Sequence, residues 1–151
     1  MELTYRKAKE SDIQKLVALL ADDDLNKSRE EVYSPLNQRY LDAFRSIEKD
    51  SNNELVVAEL QGELVGVLQL TFIPYLTHHG SWRCLIEGVR IARPHRGKGL
   101  GSKFIIWAIN RAKERQCSIV QLTSDKRRSD ALRFYEAHGF QATHEGLKLK
   151  I

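Results

Sequence analysis

Cysteine is scarce in this chain, with only Cys84 and Cys117 among 151 residues. The pair lacks metal-ligand spacing, so a cysteine-bound metal is not expected, and an isolated pair in such a chain is expected to stay reduced. No apolar run approaches the roughly 20 residues that span a bilayer. Met1-Glu2-Leu3-Thr4-Tyr5-Arg6 lacks the apolar core of a signal peptide, so the expected location is cytoplasmic, with no membrane partner. Repeats, low-complexity segments and linkers are also missing, which leaves residues 1–151 as a single domain with room for a real core. A concentrated basic stripe is absent as well: the net charge is +4 with a pI near 9.1, but the positive residues are scattered. The tightest cluster, Lys126-Arg127-Arg128, is flanked by Asp125 and Asp130 and reads as a solvated face. Nucleic acid is therefore not an expected partner.

What is present is a globular balance of 42% hydrophobic and 29% charged residues, with a readable order of elements. Leu3 to Ala8 alternates weakly and reads as a strand. Ser11 is placed to cap a helix from Asp12 to Ala21, with Ile13, Leu16, Val17, Leu19 and Leu20 on one face. The acidic run Asp22-Asp23-Asp24 reads as a solvated helix end. Ser28 to Glu48 is a second helical region, split by Pro35. Glu54–Leu60 and Glu63–Ile73 are strand patterns around the short turn Gln61-Gly62. Trp82 to Ala92 is a further strand, Leu100 to Ala112 a helix, and Ser118 to Thr123 a short buried strand. Ser129 to His138 is a helix with Gly139 just past its end, and Phe140 to Ile151 is expected to supply one or two strands.

The most informative stretch joins the strand ending at Ala92 to the helix from Leu100. It reads Arg96-Gly97-Lys98-Gly99-Leu100-Gly101. Alternating glycines before a helix start let bare N–H groups wrap an anion, and the first helical turn offers unpaired donors and a positive dipole end. A P-loop would need four residues between its first glycine and Gly-Lys-Ser/Thr, whereas here the order is Gly101-Ser102-Lys103. The dinucleotide fingerprint needs Gly-x-Gly-x-x-Gly after a first strand, not Gly97-x-Gly99-x-Gly101 after a fourth. What remains is Arg/Gln-x-x-Gly-x-Gly.

At these residues the chain resembles the GNAT superfamily of acetyl-CoA-dependent N-acetyltransferases. A second stretch, Asp130-Ala131-Leu132-Arg133-Phe134-Tyr135-Glu136-Ala137-His138-Gly139-Phe140, looks like that superfamily's Ala-x-x-Phe-Tyr-x-x-x-Gly-Phe signature. The resemblance implies an α+β (mixed α/β) fold: a mostly antiparallel, twisted sheet of six to seven strands flanked by about four helices. It implies transfer of acetyl from acetyl-CoA directly to a primary amine, most readily that of a small molecule. A catalytically silent CoA-sensing or interaction module, and acetylation of a protein amine, stay open as alternatives. Main-chain groups of Val89, Arg90 and Ile91 are implied to pair with the pantetheine arm. Backbone N–H groups of Arg96, Gly97, Lys98, Gly99, Leu100 and Gly101 are implied to hold the pyrophosphate. Two positions depart from the pattern: Arg93 stands where proline is common, with Pro94 one place later, and Asp125 stands near a common asparagine. The implied partners are acetyl-CoA and the amine, with a homodimer left open and no metal expected.

An amine acceptor with a pKa of about 10 must lose a proton near pH 7.5, at a cost of roughly 4 kcal/mol. Glu87, two residues before Val89, is the candidate base, either directly or through water. A bulge at Gly88 would decide which face it meets. Tyr135 matches the residue that the resemblance implies is the acid for the leaving thiolate, and the Val89 N–H is placed to polarise the thioester carbonyl. Neither cysteine has an adjacent histidine, so a covalent enzyme intermediate is not expected. For the acceptor, His78-His79-x-x-Trp82 resembles an element of aminoalkylphosphonate acetyltransferases within the superfamily, which implies a small amine.

Overall fold

The computed structural model describes residues 2–151. Its centre is a five-stranded sheet in the order β1 (Leu3–Lys7), β2 (Asn53–Leu60), β3 (Glu63–Pro74), β4 (Trp82–Ile91) and β5 (Cys117–Gln121). The first three pairings are antiparallel, and β4 with β5 is parallel. The β2–β3 turn places Gln61 and Gly62 at φ +52° and +81°, the two-residue geometry whose twist matches that of the flanking strands.

Alternation along the strands builds two cores. Val56, Ala58 and Leu60 of β2 pack with Leu68, Leu70 and Phe72 of β3 against α4 (Leu100–Glu114), whose Phe104, Ile105 and Ala108 are fully buried. On the opposite face, Val57 and Val67 meet Ile13, Leu16 and Val17 of α1 (Ile13–Ala21) and Phe44 of α2 (Gln38–Lys49). A single turn, α3 (Thr77–Gly80), joins β3 to β4, with His78 and His79 at φ +53° and +60°. The last helix is α5 (Ser129–Glu136). No described helix is long and apolar enough to cross a membrane.

The class matches the expected mixed α+β sheet, with corrections in detail. The sheet has five strands rather than six to seven, because Phe140–Ile151 joins none of them. That segment has strand-like alternation, but a strand exists only where a neighbour completes its ladder. Ser11 does not cap α1. It lies in a 3₁₀ turn, Glu10–Asp12, and the Asp12 carboxylate accepts from the Lys9 N–H (2.7 Å) and from both Arg6 Nη atoms (2.7 and 3.0 Å). Of the expected helical region Ser28–Glu48, only Gln38 onward is helical. It begins at Asn37, whose side chain accepts from the Arg39 N–H at 3.0 Å, whereas the stretch before it turns repeatedly around Pro35.

Candidate functional site

The site is organised by what happens halfway along β4. Trp82, Arg83, Cys84 and Leu85 pair with β5, whose last strand residue, Gln121, stands opposite Leu85. Beyond that point β4 continues to Ile91 with β3 as its only paired neighbour among the described residues. The strands part, and the backbone of Ile86–Ile91 is left with one side unladdered. The β3–β4 register also slips here: Gln69 stands opposite Glu87 and Val67 opposite Arg90, so Gly88 and Val89 form the expected bulge. Gly88 adopts φ +62°, a conformation costly for other residues. The bulge puts Glu87 and Arg90, opposite Gln69 and Val67, on the α1 side of the sheet. Val89 and Ile91 pack with the α4-side core.

Past Ile91, a 3₁₀ turn (Arg93–His95) leads into the glycine run and α4. Gly99 is the N-cap of α4 at φ +78°, Gly97 has φ +73°, and a Cβ at either would meet open space. Both positions therefore need glycine for backbone conformation, and they leave clearance for a ligand above the helix start. Arg96 braces the base of this turn: its Nε donates to the Ile91 carbonyl at 2.9 Å, and its Nη2 lies 3.4 Å from Asp22. The cradle thus combines backbone donors, a helix N-terminus and the open edge of β4.

Helix α5 docks on the first turn of α4. Phe134 sits 3.6 Å from where a Gly101 Cβ would be, and His138 Nε2 lies 3.0 Å from Ser102 Oγ. This docking places the half-buried Tyr135 edge-on to Phe134 and Phe140. Burial raises the pKa of its hydroxyl above the ordinary tyrosine value, while the charges of Arg90 and Arg128 pull it down. Tyr135 is consequently a protonated donor at neutral pH. Glu87 is exposed on the strand.

Sequence reasoning missed the charge cluster beside these residues. Asp23, read as part of a solvated helix end, has a fully buried carboxylate. It accepts from Arg90 Nη2 at 2.8 Å and from Arg128 Nη2 at 2.6 Å, with Arg29 at 3.8 Å. Burial alone would raise its pKa, but Arg128, the Leu25 N–H and the Asn26 amide outweigh burial and hold it well below the carboxylate range. Arg128 is accordingly not part of a solvated basic face, although Arg127 remains paired with its neighbour Asp125. Its two close charged partners lie 67 and 105 residues away, where no local pattern could have revealed them.

His78 and His79 lie beyond the Trp82 end of β4, seven residues or about 23 Å of strand from Val89. They are not brought to the open end. Cys84 is buried, with burial pushing its thiol up to about 12, and Cys117 is half-buried; both are free.

A sequence profile described as the acetyltransferase (GNAT) family matches residues 8–140. An aminoalkylphosphonate N-acetyltransferase from Salmonella typhimurium is 30% identical over 107 residues, covering 71% of this chain and 69% of that protein. A crystal structure of a transcriptional regulator from Bacillus halodurans superposes with a TM-score of 0.96 at 55% identity, over 99% of this chain and 100% of the other. A Trypanosoma brucei acetyltransferase superposes with a TM-score of 0.79 at 27% identity, over 99% and 100% of the two chains.

Proposed function

Because this chain belongs to the GNAT acetyltransferase family and is an acyltransferase acting on amines, we propose that it moves acetyl from acetyl-CoA directly to the primary amine of a small molecule. The observation that carries this reading is the parting of β4 from β5 immediately before the α4 cradle. It supplies an extended, unladdered backbone leading to a helix N-terminus, which suits an amide-bearing arm ending in phosphates. Residues 1–151 act as one N-acetyltransferase domain in this proposal. The two free cysteines, Cys84 and Cys117, support a cytoplasmic setting.

In this reading, main-chain groups of Val89, Arg90 and Ile91 hold the pantetheine arm, and backbone N–H groups from Arg96 through Gly101 hold the pyrophosphate. Acetyl-CoA, when bound, supplies the activated thioester. The Val89 N–H, in the bulge and outside the β3 register, would donate to the thioester carbonyl as negative charge develops there. Glu87 would take the proton of the incoming ammonium through water, which suits a carboxylate exposed on the strand's open stretch. Tyr135 would give its proton to the departing sulfur. A hydroxyl kept protonated by burial suits that role.

The acceptor is a small amine that also carries an anionic group. Arg90 and Arg128 share the single carboxylate of Asp23, while Arg29 at its margin is paired mainly with Glu30, which leaves one positive charge in excess near Tyr135. The aminoalkylphosphonate specificity in the name of the Salmonella relative agrees with that balance. The test is thiol release from acetyl-CoA across a panel of aminoalkylphosphonates, uncharged amines, polyamines and a lysine-rich peptide. Fastest turnover is expected with the anionic small amines. Coenzyme binding without thiol release from any amine would instead favour a CoA sensor, and preference for the peptide would favour a protein acceptor.

A further inference from the structure

Of the basic run Lys126-Arg127-Arg128, only the last residue turns inward. Lys126 and Arg127 stay exposed beside Glu145 and Asp125, whereas Arg128 reaches the buried Asp23 carboxylate at 2.6 Å. Arg128 is the N-cap of α5, and Tyr135 stands seven residues further on, about two helical turns. Positions seven apart share a helix face, and helical side chains lean back toward the helix start. The Tyr135 ring is therefore turned toward the end of α5 that Arg128 occupies. Arg90 joins the cluster from β4: its Nη2 donates to Asp23 at 2.8 Å and its Nη1 to the Val89 carbonyl at 2.8 Å. The cluster thus lies between the bulge of β4 and the helix that carries Tyr135.

Two guanidinium groups on one carboxylate leave a single positive charge over, and Arg128 decides whether that charge exists. Without it, Asp23 and Arg90 form a neutral pair, because Arg29, 3.8 Å from Asp23, is engaged with Glu30 at 2.9 Å. The charged groups that bear on the Tyr135 hydroxyl are Arg90, from β4, and Arg128, from the start of α5. Glu87 on β4 and Arg133 and Glu136 on α5 are exposed, His138 is engaged with Ser102, and Phe134 and Phe140 are uncharged rings. This balance matters because a phenol is a reluctant donor to sulfur. An ordinary tyrosine titrates at about 10 and an ordinary thiol at about 8.5, so the transfer runs uphill. Burial steepens it, since the tyrosinate loses solvation, and a positive charge alongside offsets that cost.

We propose that Arg128 is a positioning residue for proton delivery, its charge held on Asp23 so that Tyr135 can release its proton to the sulfur of CoA. The inference rests on the reading of Tyr135 as the acid. Tyr135 gives up its proton as the carbon–sulfur bond breaks and that bond's electron pair moves to sulfur. An S–H bond forms, and the tyrosinate regains a proton from water.

The test uses acetyl-CoA with the fastest amine of the panel. Arg128→Gln should lower kcat about tenfold and leave KM for both substrates within about twofold. The basic limb of its kcat profile, where Tyr135 loses its proton, should move to higher pH. Arg128→Lys keeps the charge and should recover most of the rate. On a Tyr135→Phe background, Arg128→Gln should cost nothing further. In the free enzyme, ultraviolet titration with the Tyr135→Phe signal subtracted should show Tyr135 ionising at higher pH in Arg128→Gln than in the wild type. A raised KM for anionic amines with kcat intact would assign Arg128 to the acceptor and overturn the proposal. An undiminished loss on the Tyr135→Phe background, or equal losses in the Gln and Lys variants, would overturn it too. A slow Tyr135→Phe beside an unaffected Arg128→Gln overturns this inference alone. An unaffected Tyr135→Phe overturns the acid reading along with it.

Discussion

Over Trp82–Leu85, β4 is held on both sides, by β3 and by β5; over Ile86–Ile91 it is held by β3 alone. The closed half carries Cys84, fully buried in the main core, with Phe72 opposite it in β3. The open half carries a bulge, a positive-φ glycine, an exposed carboxylate and a guanidinium tied to a buried aspartate. One strand thus changes character where β5 stops. Ladder completion serves the core in one half, and its interruption leaves backbone free in the other. The buried charge around Asp23 fastens the open half to α1 and to the approach to α5, a fastening that the closed half obtains from hydrocarbon.

The strongest challenge to this contrast is Asp23→Asn. Removing one partner of a buried charge cluster typically costs about 3–5 kcal/mol, and urea unfolding at pH 7 should show a loss of that size together with reduced turnover. The Asp23 carboxyl titrates lower in the folded chain than in the unfolded chain. Its stabilisation is therefore fully present above the ordinary carboxylate pKa of about 4 and fades as the pH falls toward the folded value. The wild-type and variant curves should converge below pH 4; a constant gap would detach the effect from ionisation. Tyr135→Phe should lower kcat about 100-fold while leaving acetyl-CoA affinity nearly intact, and an unchanged rate would remove it as the acid. Gly99→Val forces a branched side chain into left-handed backbone at the cradle, and should raise KM for acetyl-CoA about tenfold. Titration calorimetry showing wild-type affinity would place the ligand elsewhere. The smallest effect belongs to the closed half: Cys84→Ala should cost about 1 kcal/mol in stability and leave kcat/KM within about twofold.

Most of the sheet was legible because its signals are local. The Gln61-Gly62 turn, the alternation of β2 and β3, and the glycine run before α4 each state their conformation within a few residues. The Gly88 bulge was also anticipated, and the register bears it out. Three features resisted reading because distant partners decide them. Asp22-Asp23-Asp24 has the composition of a solvated helix end, and the distant Arg90 and Arg128 supply the close charges that let its middle residue join the interior. Residues 147–151 have a strand's alternation, yet pattern alone does not provide the neighbour that would make them one. His78 and His79 suggested an acceptor element, but the direction of β4 carries them away from the cradle.

The parallel pairing of β4 with β5 also bears on the order of assembly. β2, β3 and β4 meet through short connections, so the entropy of closing them is small, whereas β5 reaches β4 only after the whole of α4 has crossed the sheet. Long-range pairings of this kind are the slow ones. On that ground the meander is expected to condense first, α4 to cap it, and β5 with α5 to dock late. The groove beside Ile86–Ile91 would then gain its second wall only in the final step, which pulse-labelled hydrogen exchange during refolding would read as late protection of Cys117–Gln121.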